Sequence, residues 1–417
     1  MGESMQMNAA RSRQSPVYQL CLYYLSISIF FEVLDQLLFL RLLGVPYVAQ
    51  SMLALRLFVD MLFVTYCFVY GIKTSIFRGT LINMFIVMVV WGAVLGIVYQ
   101  NNIIEMFKDL LLFALFALKF AIFKSVFMSG EDLNPLLNRL RKYCIYTLYV
   151  AIFSLCVMLT LRRVGFVFYE QGISNLEWYV SYAISGNKMM AAFLGVVIAF
   201  LLGKRMVFIS CVVIFVLPII INFVRLNQRM FLTLMTGIAA LTAILQVVTF
   251  NQDAFSYAIR LDFDSIFQEV RGLSLDSLTR ALMILDYPRY SESLSALTEL
   301  KGNGIMFGGG FGFNYLDSYT NEYVSNAHFS PVGMITKVGI VWMIPFYLVF
   351  FHGSIVALRS RHPMVRLCGY YLIATLIGSL FTWKFFLSSP LLPLAFAISL
   401  YCDRSKGPAR SGIQQPV

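Results

Sequence analysis

Residues 80–123, TLINMFIVMVVWGAVLGIVYQNNIIEMFKDLLLFALFALKFAIF, decide the fold. Two apolar runs, 80–99 and 103–123, stand on either side of a short polar break at Gln100, Asn101 and Asn102. Each has about the twenty residues an α-helix needs to cross the hydrocarbon core of a bilayer. The stretch therefore reads as two membrane helices joined by a tight turn.

Runs of the same kind recur outward in both directions, near 17–43, 48–70, 143–161, 180–202, 206–223, 229–250, 332–351, 365–385 and 387–402. Hydrophobic residues make up 59% of the chain and charged residues only 13%, half of the roughly 25% usual for a soluble domain. The expected fold is an all-α polytopic membrane helical bundle of about ten to twelve transmembrane helices. Residues 1–250 hold the N-terminal transmembrane helices, 251–331 one large helical loop, and 332–417 the C-terminal transmembrane helices and a tail.

A net charge of +11 raises the question of nucleic acid, but the basic residues sit in short clusters between apolar runs, the pattern of cytoplasmic loops. No nucleic-acid partner is expected. The seven cysteines lie in or beside apolar runs and form no CxxC pair, which argues against a disulfide framework and a zinc site. Neither a metal nor another cofactor is expected. The first sixteen residues are polar, so the first apolar run reads as a retained span and not as a cleaved signal peptide.

Sidedness follows from Lys and Arg in the short loops. Arg11 and Arg13, Lys73 and Arg78, Lys124 with Arg139, Arg141 and Lys142, Lys204 and Arg205, Arg359 with Arg361 and Arg366, and the C-terminal Arg404, Lys406 and Arg410 all read as cytoplasmic. Both termini are then inside, which requires an even number of crossings, whereas eleven segments are counted. The conflict is traced to 206–250, where RLNQR interrupts the apolar sequence. The interval 251–331 is placed outside: it holds ten acidic residues against five basic ones. Charges inside the early runs read as locally neutralised, Arg56 with Asp60 four residues on, and Lys108 with Asp109 beside it.

That outer interval carries the candidate chemistry. Apolar residues at steps of three and four, including Leu275, Leu278, Leu282 and Leu285, then Leu294, Leu297 and Leu300, predict short amphipathic helices, with Pro288 separating the last two. Arg260, Arg271, Arg280 and Arg289 punctuate them, and guanidinium groups pair bidentately with phosphate oxygens. The glycines of KGNGIMFGGGFGF, 301–313, read better as a turn onto the next span than as a nucleotide loop, because no P-loop Lys-Ser/Thr follows. Of three histidines, His352 and His362 belong to the cytoplasmic side and His328 alone to the outer one. An imidazole there can accept a proton near neutral pH. Tyr315, Tyr319 and Tyr323 suit either stacking on sugar rings or an interfacial aromatic belt.

Arg289, the FGGGFGF turn at 307–313, His328 and the span beginning VGMITKVGIVWMIPF together resemble the signature of the O-antigen ligase and O-antigen polymerase superfamily of bacterial membrane glycosyltransferases. SGNKMMAAFLG, 185–195, resembles that family's Asn-containing helix start, with Asn187 at the matching place, and RLNQRMFL, 225–232, resembles its short Ser-Arg turn, with Arg229 matching the Arg. Phe329 stands where the family commonly has Asn, Gly304 where it often has Pro, and Gln228 where it has Ser. The resemblance implies a GT-C-like bundle in the bacterial inner membrane and a metal-independent, inverting glycosyl transfer on its periplasmic face. The donor would be a saccharide on undecaprenyl diphosphate, and the acceptor another lipid-linked repeat unit in a polymerase or lipid A-core in a ligase. A chain-length regulator, a flippase and membrane lipid are the implied partners. His328 and Arg289 would be catalytic, Arg229, Arg280 and Arg225 would bind the diphosphate, and Asp286 or Glu292 would be the alternative base. A transporter or flippase for a lipid-linked or anionic solute is the alternative from another class.

Overall fold

A computed structural model describes residues 15–37, 46–70, 79–129, 131–163, 175–202, 205–223, 287–300, 303–318, 320–325, 327, 329–379 and 391–402. Helices dominate them. The N-terminal part comprises α1 (Pro16–Leu37), α2 (Pro46–Val69), α3 (Thr80–Val98), α4 (Ile103–Met128) and α5 (Asn134–Arg163). Next come α6 (Leu176–Ser185), α7 (Met189–Leu201) and α8 (Arg205–Phe223). After the interval that is not described stand α9 (Tyr287–Glu299), α10 (Gly304–Phe307) and a hairpin of β1 (Tyr315–Asp317) with β2 (Glu322–Val324). The chain continues through α11 (Ser330–Val338), α12 (Ile340–Leu358), α13 (Pro363–Ser379) and α14 (Leu392–Tyr401).

Among the described residues four helices, α3, α4, the first 24 residues of α5, and α12, are long and apolar enough to cross a membrane. The turn expected at 100–102 is present, with Asn102 capping α4 by accepting the N–H groups of Ile104 and Glu105. Between membrane helices the bilayer supplies little hydrophobic drive, so close packing carries the association. Aromatic rings supply much of it here. Phe350 stacks on Phe396 at 4.4 Å, and Phe85 meets Phe116, Phe120 and Phe346 edge-on at 5.6 to 6.0 Å, joining α3, α4, α12 and α14.

Side-chain ties define the two ends of the bundle. At one end Tyr18 Oη donates to the Asp132 carbonyl at 2.5 Å, Arg139 reaches the Leu22 carbonyl and Ser26, and Arg141 Nε donates to Tyr182 Oη at 3.0 Å. There too Arg366 Nη2 donates to the Ser185 carbonyl at 2.7 Å, and the Lys124 ammonium lies 5.7 Å above the Tyr401 ring. The turns at 131–142, 185–188 and 359–366 thus share one end, which is basic. The opposite end is formed by the α3–α4 turn and by residues 304–325, joined through Asn101 and Trp91.

Three expectations are corrected. The apolar run at 180–202 is not one helix: α6 and α7 fold back on each other at Gly186, Asn187 and Lys188, so that Gly195 faces Val180 and Tyr179. Asn187 takes a left-handed φ of 57° there, which asparagine tolerates. Next, Arg205, the first residue of α8, does not join the basic end, and Lys204 lies outside the described residues. Phe200 pairs with Phe208 at 5.3 Å and Phe193 with Phe215 at 6.0 Å, so α7 and α8 are antiparallel and α8 starts at the opposite end. Lastly, Asp109 pairs with Lys337 of α11 at 2.7 Å and not with the adjacent Lys108, which pairs with Glu105 one turn away at 2.5 Å. Asp60 accepts from Lys119 Nζ at 2.5 Å and Tyr24 Oη at 2.6 Å.

Candidate functional site

The glycine turn is wedged into the bundle at the end opposite the basic one. Phe311 places its ring 4.8 Å from Phe113 and against the bare Cα of Gly92, and its N–H donates to the Gly92 carbonyl at 2.8 Å. Asn101 Nδ2 donates to the carbonyls of Gly309 and Phe311 at 2.8 and 3.0 Å, and Trp91 Nε1 donates to that of Phe307 at 2.8 Å. Gly310 has a φ of 84°, and a Cβ on it would stand 2.2 Å from the Gly96 nitrogen. Only glycine meets both demands, left-handed backbone and direct contact with a neighbouring helix.

Hydrogen-bond donors in this turn are already engaged. The N–H groups of Gly308, Gly309, Phe311, Gly312 and Phe313 donate to Gly304, Thr336, Gly92, Asp109 and Gly310 respectively. The stretch is a structural plug that spends these five donors inside the protein. This agrees with the expectation of a turn onto the following span.

At its foot lies a buried ion pair. Lys337 and Asp109 side chains are 0% and 2% exposed, with Nζ and Oδ2 2.7 Å apart. The same Oδ2 accepts the Gly312 N–H at 2.8 Å, and Lys337 Nζ also donates to the Phe313 carbonyl at 3.0 Å. Neither partnership is legible locally, although a lysine inside VGMITKVGIVWM signals that some carboxylate must meet it.

Above the plug, α9 lies along the β-hairpin. The hydroxyls of Ser291 and Ser295 share hydrogen bonds with that of Ser318 at 2.8 and 2.9 Å, and Glu299 accepts the Leu316 N–H at 2.9 Å. Tyr315 Oη donates to Glu292 Oε1 at 3.1 Å. Burial first, then the neighbouring Glu292 charge, holds the Tyr315 phenol well above its ordinary range, so it remains a donor at any physiological pH. Ala296 and Leu297 of α9 share one small apolar cluster with Tyr315, Phe313, Val324, Ala327, Phe329 and Val332.

That cluster bears directly on the residues expected from sequence. Arg289 is the third residue of α9, where Pro288 begins a helix as expected, and only its place in the helix is described. His328 lies outside the described residues, but its neighbours Ala327 and Phe329 belong to the cluster that α9 packs against. Glu292 is 4% exposed and turned toward Tyr315, an inward placement for a candidate base. Arg225, Arg229, Arg280 and Asp286 lie outside the described residues, as do Tyr319 and the predicted helices over 259–285. Among the described residues no group of three or more His, Cys, Asp or Glu side chains stands close enough to hold a metal.

Sequence reasoning missed the residues that build the mount: Trp91, Gly92, Gly96, Asn101, Asp109 and Lys337. In comparisons with known protein families, with curated proteins and with solved structures, nothing matches this chain.

Proposed function

We propose that this protein is a multi-pass bacterial inner-membrane glycosyltransferase. In this reading it polymerises a surface polysaccharide by transferring a glycan from undecaprenyl diphosphate to the acceptor sugar of another lipid-linked repeat unit. The observation that carries the reading is the shared cluster that packs the helix bearing Arg289 against the residues flanking His328, at one end of the bundle. A cation beside the departing diphosphate and a base beside the acceptor hydroxyl are the two groups an inverting transfer needs, and both belong to the same small module. The O-antigen ligase reaction is the close alternative, since it differs only in the acceptor.

Sidedness supports this reading. On the positive-inside rule the basic end would face the cytoplasm, and the plug, α9 and the β-hairpin would then face the periplasm. The reversal between α6 and α7 is a second place, beside 206–250, where the count of eleven segments can gain a passage. The proposed diphosphate contacts are Arg289, Arg280, Arg229 and Arg225, with His328 as base.

One observation favours the transporter reading. Asn175, just before α6, donates to Tyr143 Oη at 3.3 Å, nine residues or about 13 Å above the start of α5, so α6 is a half-length helix beginning deep in the bundle. Broken helices of that kind line solute sites in transporters.

A chain-length assay separates the readings. Cells lacking the protein are complemented with wild type, Arg289→Ala or His328→Ala, and their surface polysaccharide is resolved by length. Loss of a polymerase leaves single repeats on the acceptor, and loss of a ligase leaves unattached lipid-linked polymer. Full-length, normally attached product from both variants would refute the catalytic assignment.

A further inference from the structure

We infer that Asp109 and Lys337 are positioning residues for the candidate site: their buried pair fixes the glycine turn and α11 to α4, and thereby the spacing between α9 and the segment around His328. The inference rests on the glycosyltransferase reading for its catalytic consequence but not for its structural content.

Two adjacent residues of the plug are held by the two halves of the pair, the Gly312 N–H by Asp109 and the Phe313 carbonyl by Lys337. From Phe313 the chain reaches Tyr315 two residues later, and the Tyr315 hydroxyl meets Glu292, one helical turn from Arg289. From Lys337, α11 leads back to Ser330, two residues beyond His328. Both candidate groups thus hang from one ion pair by short covalent paths and a single hydrogen bond.

Burying two charges costs several kcal/mol each, so a well-packed apolar pair would hold two helices at least as firmly. What an apolar pair lacks is direction. Three contacts meeting at Nζ and Oδ2 fix the rotation of the plug as well as its depth, the use for which buried charges are best attested.

A second buried pair provides the control. Asp60 and Lys119, each 7% exposed, join α2 to α4 with help from Tyr24 of α1. These contacts run between helices.

The test compares Asp109→Asn/Lys337→Met with Asp60→Asn/Lys119→Met in the full-length protein in lipid nanodiscs. Each double substitution removes both charges and leaves no lone buried ion. Amide hydrogen exchange over 287–325 is expected to accelerate about tenfold in the first variant and to match wild type in the second. In transfer assays with a lipid-diphosphate-linked donor, kcat of the first falls about tenfold while KM changes less than about threefold. Wild-type exchange over 287–325 in the first variant, or equal acceleration in both, would overturn the inference. Should the first double variant fail to fold, Asp109→Asn/Lys337→Gln, which keeps polar side chains at both positions and strands no charge, carries the same comparison. Accelerated exchange in a protein whose wild type transfers no glycan would uphold the positioning role and refute the proposed function.

Discussion

Gly186 and Gly310 both stand at turns where an apolar stretch of chain changes course, and they make opposite demands. At Gly186 an added Cβ would meet its nearest neighbours, the Tyr182 and Ala183 carbonyls, at 3.5 and 3.7 Å, ordinary contact distances. Gly186, Asn187 and Lys188 are exposed, and the left-handed position is filled by asparagine. At Gly310 the same Cβ would overlap the α3 backbone. One turn is closed by local geometry alone, whereas the other is closed by a neighbouring helix, which is why it can hold a loop in a fixed place.

Five substitutions probe that contrast. Lys337→Met should be the most damaging, at about 3–5 kcal/mol, because it strands the Asp109 carboxylate in the bundle. Thermal unfolding in nanodiscs reads the effect, and Lys108→Ala, which removes a solvent-exposed pair with Glu105, should cost under about 1 kcal/mol in the same assay. Equal losses from the two would mean that the Asp109 pair is not dry.

Gly310→Ala combines left-handed strain with overpacking and should cost about 2–5 kcal/mol. Recovery of folded protein by size-exclusion chromatography should drop accordingly, and a variant as stable as wild type would show that the turn does not touch α3. Asn101→Ala removes the donor to the Gly309 and Phe311 carbonyls, an expected loss of about 1–3 kcal/mol together with faster hydrogen exchange in the plug. Gly186→Ala lies at the other extreme. It should change stability by less than about 1 kcal/mol, and a larger loss would remove the distinction between the two turns.

Much of the bundle was legible because its signal is local. The run 80–99 became α3 nearly to the residue and 103–123 became α4, which continues to Met128, since apolar residues in a bilayer must bond their own backbone. Position 180–202 misled for the same reason. Hydropathy sees an unbroken apolar run there, and the reversal at Gly186 to Lys188 needs only three residues. In the site, Pro288 at the start of a helix and the glycine turn were both readable from residue type. The charge partners were not. Asp60 and Asp109 have basic neighbours in sequence at Arg56 and Lys108, yet Asp109 pairs across the bundle with Lys337, and Asp60 draws Lys119 and Tyr24 from other helices.

By itself the sequence determined that the chain is built of apolar helices suited to a membrane, where most of the described helices lie, and that one polar interval, 251–331, differs from the rest. Each of these depends on properties of neighbouring residues, apolarity, helical period and backbone freedom. Only the tertiary structure decided that the glycine turn is a plug between α3, α4 and α11, and that Asp109 and Lys337 fasten it. The reason is that a buried charge selects its partner by distance in space, in a medium where leaving it unpaired costs several kcal/mol, and separation along the chain carries no information about that distance.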